Sequence, residues 1–248
     1  MSINELNGTF FIPAYQRGYR WTEEQVRQLL NDLFQFSNHH GEGEFYCLQP
    51  IIVKKRNENE WEVVDGQQRL TLFWLLKDIS HIIDSVQNEI QYKLTFDQRS
   101  QLDRFLNEKL TFRDKEETTP GFLKNELVNL WNNRHADNDN IDSSDCIYLF
   151  KTLNTIIATK IANSQWYEII RAIMANNITN AVKIIWYELD ENENPNEMFS
   201  NINANRIRLT DSELIKAHLL HKIADDNRRK VISEKWSEIE KKLNDDKF

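Results

Sequence analysis

The 248-residue sequence is poor in chain-breakers, with six Gly and four Pro against the usual ~7% and ~5%. So few turn formers do not suit a sandwich or barrel of many short strands, and they favour long helices. Cysteine is nearly missing too. Cys47 and Cys146 stand far apart and form no CxxC pair, which excludes a disulfide scaffold. No apolar run approaches 18 residues and no signal peptide is recognisable. The expectation is a cytoplasmic protein with reduced thiols and no membrane partner. Positive charge is in deficit, 31 Lys and Arg against 39 Asp and Glu, for a net charge of −8. That argues against indiscriminate coating of nucleic acid and leaves room for a local basic patch. What the chain has in quantity is apolar: 40% hydrophobic and 11% aromatic, including seven Trp, which excludes disorder. A chain of this length buries roughly 73–75% of its unfolded surface and needs no staple.

Hydrophobic periodicity divides the chain. Residues 10–21, FFIPAYQRGYRW, have no helical period and read as an arm. Thr22 and Gln25 form a capping box before a helix whose Val26, Leu29, Leu30, Leu33 and Phe34 share one face, ended by His39, His40 and Gly41. Residues 45–53 read as a buried strand in which Pro50 marks an edge or bulge. Residues 54–60 read as a charged turn and 61–64 as the second strand of a hairpin. A long helix over 67–86 is apolar on more than one side, and Ile90, Tyr92, Leu94 and Phe96 alternate as a strand. Residues 98–176 read mostly helical, with loops near 111–120 and 137–144. A strand returns at 182–189, and helices follow near 197–205, 211–223 and 228–243, the middle one capped by Thr210 with Glu213. The expected fold class is α+β, a small mixed-sheet core with a large, mainly helical remainder. Residues 1–96 and 178–248 would form the core, and 97–177 a helical insertion.

Three segments carry chemistry. In WEVVDGQQRLT, residues 61–71, a strand ends, Asp65 and Gly66 turn, and a helix starts at once. Such a junction offers unbonded amides and the positive end of a helix dipole. Gly66 lets a ligand approach the backbone, Arg69 can lean back with a bidentate fork, and Gln67 and Gln68 can orient water or a base. Asp65 could hold Mg²⁺ through oxygen. The plainer reading is a hairpin-type Asp-Gly turn with Arg69 on a surface carboxylate. In IPAYQRGYRW, Tyr15, Gln16, Arg17, Tyr19, Arg20 and Trp21 mix stacking surfaces with phosphate-binding groups, as nucleotide or unpaired-base recognition requires; or the arm only packs its aromatics on the core. In residues 199–216, Asn201, Asn203, Arg206 and Arg208 precede a helix bearing Glu213 and Lys216, either an amide-rich basic rim or an ordinary helix–loop–helix. His39 and His40 could bind a metal, but no carboxylate or Cys sits at ligand spacing and they read as a solvated helix end; His218 and His221, three apart on a helix, read as packing or surface histidines. Lys54, Lys55 and Arg56 read first as a solvated turn and second as a contact to a phosphate backbone, and the acidic runs at 137–145 and 188–197 as solvated loops.

Taken in order, IPAYQRGYRW, VVDGQQRLT and FSNINANRIRLTDSELIKAHLL resemble the N-terminal domain of GmrSD-type restriction systems, a bacterial group known for its DGQQR motif, from about Ile12 to Leu220. The resemblance implies a core similar to ParB and sulfiredoxin, with a nucleotide's phosphates at the helix start after the glycine. It implies a modification-sensing part of anti-phage DNA restriction, and several members hydrolyse nucleoside triphosphates. Asp65, Gly66, Gln67, Gln68 and Arg69 would then form the triphosphate and hydrolysis site, with Thr71 beside it. Tyr15, Gln16 and Arg17 would face it from the arm. Tyr19, Arg20, Trp21, Asn203, Arg206 and Lys216 would form a rim for DNA or a partner, and Mg²⁺ would be held at Asp65. Leu72 stands where many relatives repeat the threonine of Thr71. Arg206 stands where many have Gly, so the loop before Leu209 is expected to differ in shape. Relatives usually continue into an HNH-type nuclease domain, so a truncated chain or a subunit served by such a nuclease in trans is expected; self-association into a homo-oligomer is left open. The function expected first is an NTP-hydrolysing sensor, next a nucleotide-switched module that binds DNA or protein without hydrolysis, and last a domain that cuts DNA itself.

Overall fold

A computed structural model describes residues 1–39, 41, 43–84, 92–106, 119–133, 141, 143–162, 166–175, 181–204, 215–216, 219–220, 223 and 225–245. Its elements are β1 (Gly8–Ile12), α1 (Glu23–His39), β2 (Tyr46–Asn57), β3 (Glu60–Asp65), α2 (Gln67–Asp84), β4 (Tyr92–Phe96), α3 (Ser100–Arg104), α4 (Pro120–Asn132), α5 (Ser144–Ala162), α6 (Trp166–Met174), β5 (Val182–Leu189), α7 (Pro195–Ala204) and α8 (Asp226–Asp245). The strands form one mixed sheet in the order β4-β1-β3-β2-β5. β1 runs parallel to both β3 and β4, β2 pairs antiparallel with β3, and β5 runs parallel to β2. The class is α+β, as the sequence predicts.

Alternation along the strands divides the apolar residues between the two faces. Phe10, Ile12, Ile51, Val53, Val63 and Leu94 join the large core built with α1, α2, α5 and α6. Ile52, Val64 and Leu189 face the other way and meet Phe199 of α7. α1 begins as the capping box predicts: Thr22 N donates to Gln25 Oε1 at 2.9 Å and Gln25 N to Thr22 Oγ1 at 3.3 Å. Its Val26, Leu29, Leu30 and Leu33 are buried, each contributing about 1.5–3 kcal/mol. α2 is enclosed on all sides over its first fourteen residues. Even Lys77 is fully buried, its Nζ donating to Asn4 Oδ1 at 2.9 Å, and burial lowers its pKa.

Three sequence expectations change. The arm opens with an interior strand, β1, whose run of Phe10, Phe11 and Ile12 carries no visible alternation. β2 continues through Lys54, Lys55 and Arg56 to Asn57, so the hairpin turns on Glu58 and Asn59 alone. These three cations are strand residues; Lys54 Nζ, for instance, donates to the carbonyls of Glu191 and Glu193 at 2.9 and 2.7 Å. Asp145 is not in a solvated loop but is buried at the start of α5. Of the two readings of Pro50, the bulge holds: it lies at a register shift between β2 and β5, inside the sheet. The Thr210–Glu213 cap, Ile90, Arg206, Arg208, His40, His218 and His221 lie outside the described residues.

Candidate functional site

Because β1, β3 and β4 are parallel, their carboxyl ends lie together, the place where open α/β sheets bind ligands. β1 runs out into the arm, β3 into Gly66 and α2, and β4 into Asp97, Gln98 and Arg99. Asp97 N donates to Ile12 O at 2.9 Å, and Arg99 Nη2 to Gln16 O at 2.6 Å, tying the β4 exit to the arm. Gly66 has φ 104°, a conformation that favours glycine. A Cβ there would also lie 2.9 Å from Ile51 Cγ1, so the glycine serves the protein's own packing. The first helical bond of α2 is Leu70 N to Gly66 O at 3.0 Å. The amides of Gln67, Gln68 and Arg69 precede it, at the positive end of the helix dipole.

The two glutamines grip the arm by its main chain. Gln67 Nε2 donates to Arg17 O. Gln68 Nε2 donates to Gly18 O at 2.8 Å while its Oε1 accepts from Arg20 N at 2.8 Å. Gln16, buried, donates through Nε2 to Val63 O. Arg69 is 8% exposed. Its Nη1 donates to Gln49 Oε1 at 2.7 Å, and its Nη2 to Pro50 O and, at 3.1 Å, to Asp65 Oδ2. In this arrangement the guanidinium braces the β2 bulge across to the end of β3. Thr71, two residues further along α2, is buried.

A second anchor, absent from the motif reading, is Asp145. Arg20 pairs with its Oδ1, and Arg99 Nη1 with its Oδ2 at 2.7 Å. Burial alone would raise the Asp145 pKa; the two guanidiniums outweigh it and hold the carboxyl below its ordinary value. Gly18 leaves room for this carboxylate, which a Cβ at that position would overlap. Tyr19 is buried and accepts from Thr152 Oγ1 at 3.1 Å; burial raises its pKa. Arg20 also lies over the Tyr148 ring, and Trp21 packs half-buried on the core. No sequence signal marks Asp145 or Arg99, because their partners are distant along the chain.

Beside the arm a cleft of about 880 Å³ opens between the sheet's second face and α8. Phe11, Pro13, Tyr15 and Phe96 supply its apolar lining, and its charged groups are mixed, Arg56, Arg229 and Lys230 among the cations and Glu62, Asp97 and Glu234 among the carboxylates, with Gln98 beside them. The Tyr15 hydroxyl donates to Glu62 Oε1 at 3.0 Å; burial, then the Glu62 charge, push its pKa up. Of the residues nominated from sequence, Tyr15 lines this cleft and Asp65, Gly66, Gln67, Gln68 and Arg69 do not. Asn203 is in α7, and Lys216 is helical and buried. Among the described residues no three His, Cys, Asp or Glu side chains cluster for a metal. Cys47 and Cys146 are not in a disulfide, and no described helix is long and apolar enough to cross a membrane.

A mixed-sheet α+β domain whose IPAYQRGYRW arm is bonded to a DGQQR strand–turn–helix junction is the class defined so far. The chain belongs to the family of GmrSD restriction endonuclease N-terminal domains, which it matches over residues 2–220. Its role is therefore in a restriction system. Among curated proteins, none matches the sequence.

Proposed function

We propose that this chain is the NTP-binding and NTP-hydrolysing sensor of a modification-dependent, anti-phage DNA restriction system, on a core of the ParB and sulfiredoxin type. The observation that supports it is the start of α2, where three amides and a helix dipole sit at the carboxyl ends of parallel strands, faced by the arm. Phosphoryl transfer asks for positioning and charge stabilisation more than covalent chemistry. The amides of Gln67, Gln68 and Arg69 would take phosphate oxygens. Arg69 would exchange its bonds to Gln49 and Pro50 for the transferring phosphoryl group, and Gln67 or Gln68 would orient the attacking water. Asp65 is partly exposed, and one carboxylate plus phosphate oxygens is a ligand set that suits Mg²⁺; when bound, that ion neutralises charge on the phosphates. Arg17, Arg20 and Trp21 are the proposed surface for modified DNA or for the HNH-type nuclease domain, supplied in cis or in trans; Lys216, being buried, does not join it.

One observation favours a second reading, a nucleotide-switched module without hydrolysis. Gln67, Gln68 and Arg69 all bond to the protein itself, so a ligand that displaced them would release the arm. Phosphate release from each of the four NTPs with Mg²⁺, with and without modified DNA, separates the two. The variant to compare is Arg69→Lys, which keeps the charge and loses the fork. Hydrolysis through Arg69 predicts a fall of about 10²-fold, the size of losing one transition-state donor. Wild-type turnover in the folded variant refutes the role of Arg69. Nucleotide binding without release by the wild type establishes the switch.

A further inference from the structure

The cleft beside Tyr15 holds a side chain that no motif singles out. Gln98, just after β4, has φ 58° and is the one non-glycine residue among those described with positive φ. A side chain in the left-handed region is strained, and such outliers gather at ligand sites. The Gln98 Oε1 is buried without a hydrogen-bond partner, which is uncommon for an interior polar atom, and the residue lines the cleft. Around it, Phe11, Tyr15 and Phe96 present flat apolar surface. The Arg56 guanidinium lies 3.9 Å from the centre of the Phe11 ring, adding a planar cation, and Lys230 of α8 lines the same space. Glu62, Asp97, Asp103 and Glu234 balance the cations of the lining, so the complementary ligand is flat, brings an N–H donor to the buried oxygen, and need carry no charge where it lies in the cleft.

We infer that this cleft takes the base of the nucleotide, with the exocyclic amino group of adenine or cytosine donating to Gln98 Oε1. The ring nitrogen beside that amino group accepts from Gln98 Nε2, the two-bond match by which a glutamine amide reads such an edge. The inference rests on the nucleotide-binding reading and adds to it a preference for amino-bearing bases. The triphosphate lies along the arm towards the start of α2, which Tyr15, Gln16 and Arg17 join to the cleft.

The test measures dissociation constants for ATP against ITP, CTP against UTP, and inorganic triphosphate, on the wild type and Gln98→Gly. Glycine suits the left-handed backbone, so this variant melts no lower than the wild type. The wild type is expected to favour the amino-bearing member of at least one pair by about two- to tenfold, the worth of a neutral hydrogen bond. Gln98→Gly is expected to lose that preference and to keep its affinity for inorganic triphosphate. Equal binding within both pairs by the wild type, or a preference that survives in Gln98→Gly, overturns the role of Gln98 and leaves nucleotide binding standing. No binding of any NTP or of triphosphate overturns both.

Discussion

Gly18→Ala tests how the arm is fastened. The new methyl group would overlap the Asp145 carboxylate, which is 5% exposed and held by Arg20 and Arg99. Displacing it breaks both ion pairs and leaves two guanidiniums facing a site built for an anion. Breaking a buried pair costs about 3–5 kcal/mol. Arg20 keeps 20% of its side chain in water, so about 3 kcal/mol, the lower end, is expected. Gly18 is not in the left-handed region. Once the carboxylate is removed by Asp145→Ala, Gly18→Ala should therefore be neutral or stabilising by about 0.4–1 kcal/mol. The four proteins of this cycle can be unfolded in urea. With a slope on the order of 3 kcal/mol per molar, the midpoint falls by about 1 M in the native background. It is unchanged, or rises by up to about 0.3 M, in the Asp145→Ala background. Equal losses in the two backgrounds would show that Gly18 serves something other than the Asp145 carboxylate.

Two further perturbations follow from the same contacts. The Asp145 pKa is lower in the folded state, so its ionisation stabilises the fold above the unfolded value of about 3.9, and that stability is lost as pH falls through the folded value. Urea midpoints between pH 7 and pH 3 should therefore drop less steeply for Asp145→Asn than for the wild type; parallel curves would refute the linkage. Gln68→Ala removes the bonds to Gly18 O and Arg20 N, a loss of about 1–3 kcal/mol. Hydrogen exchange at the Arg20 amide should accelerate by about 5- to 150-fold, while unchanged exchange would mean that Gln68 does not hold the arm.

What could be read from the sequence follows from how local each signal is. The Thr22–Gln25 box and the i, i+3, i+4 face of α1 lie within a few residues of each other, and β5 appears at 182–189 as read. β1 was hidden because an interior strand is apolar on both faces and shows no alternation; Phe10, Phe11 and Ile12 look like the start of the arm. DGQQR and the arm were legible as motifs, but their bonding was not. Gln68 meets Gly18 fifty residues away, and Asp145 meets Arg20 across 125. An acidic run from 137 to 145 gives no local hint that its last member is buried between two arginines. Gln98 was invisible for another reason: its distinction is a backbone angle, which composition and spacing do not encode.

Gln67 and Gln68 hold carbonyl groups that every residue type possesses and an amide N–H that all but proline possess, and neither touches an arm side chain through these bonds. Arg17, whose carbonyl is gripped, has its own side chain exposed. The attachment is thus indifferent to what Arg17 displays. On the proposed DNA-reading role of the arm, residue 17 can therefore be varied as a library and screened for altered DNA recognition on an arm that stays docked.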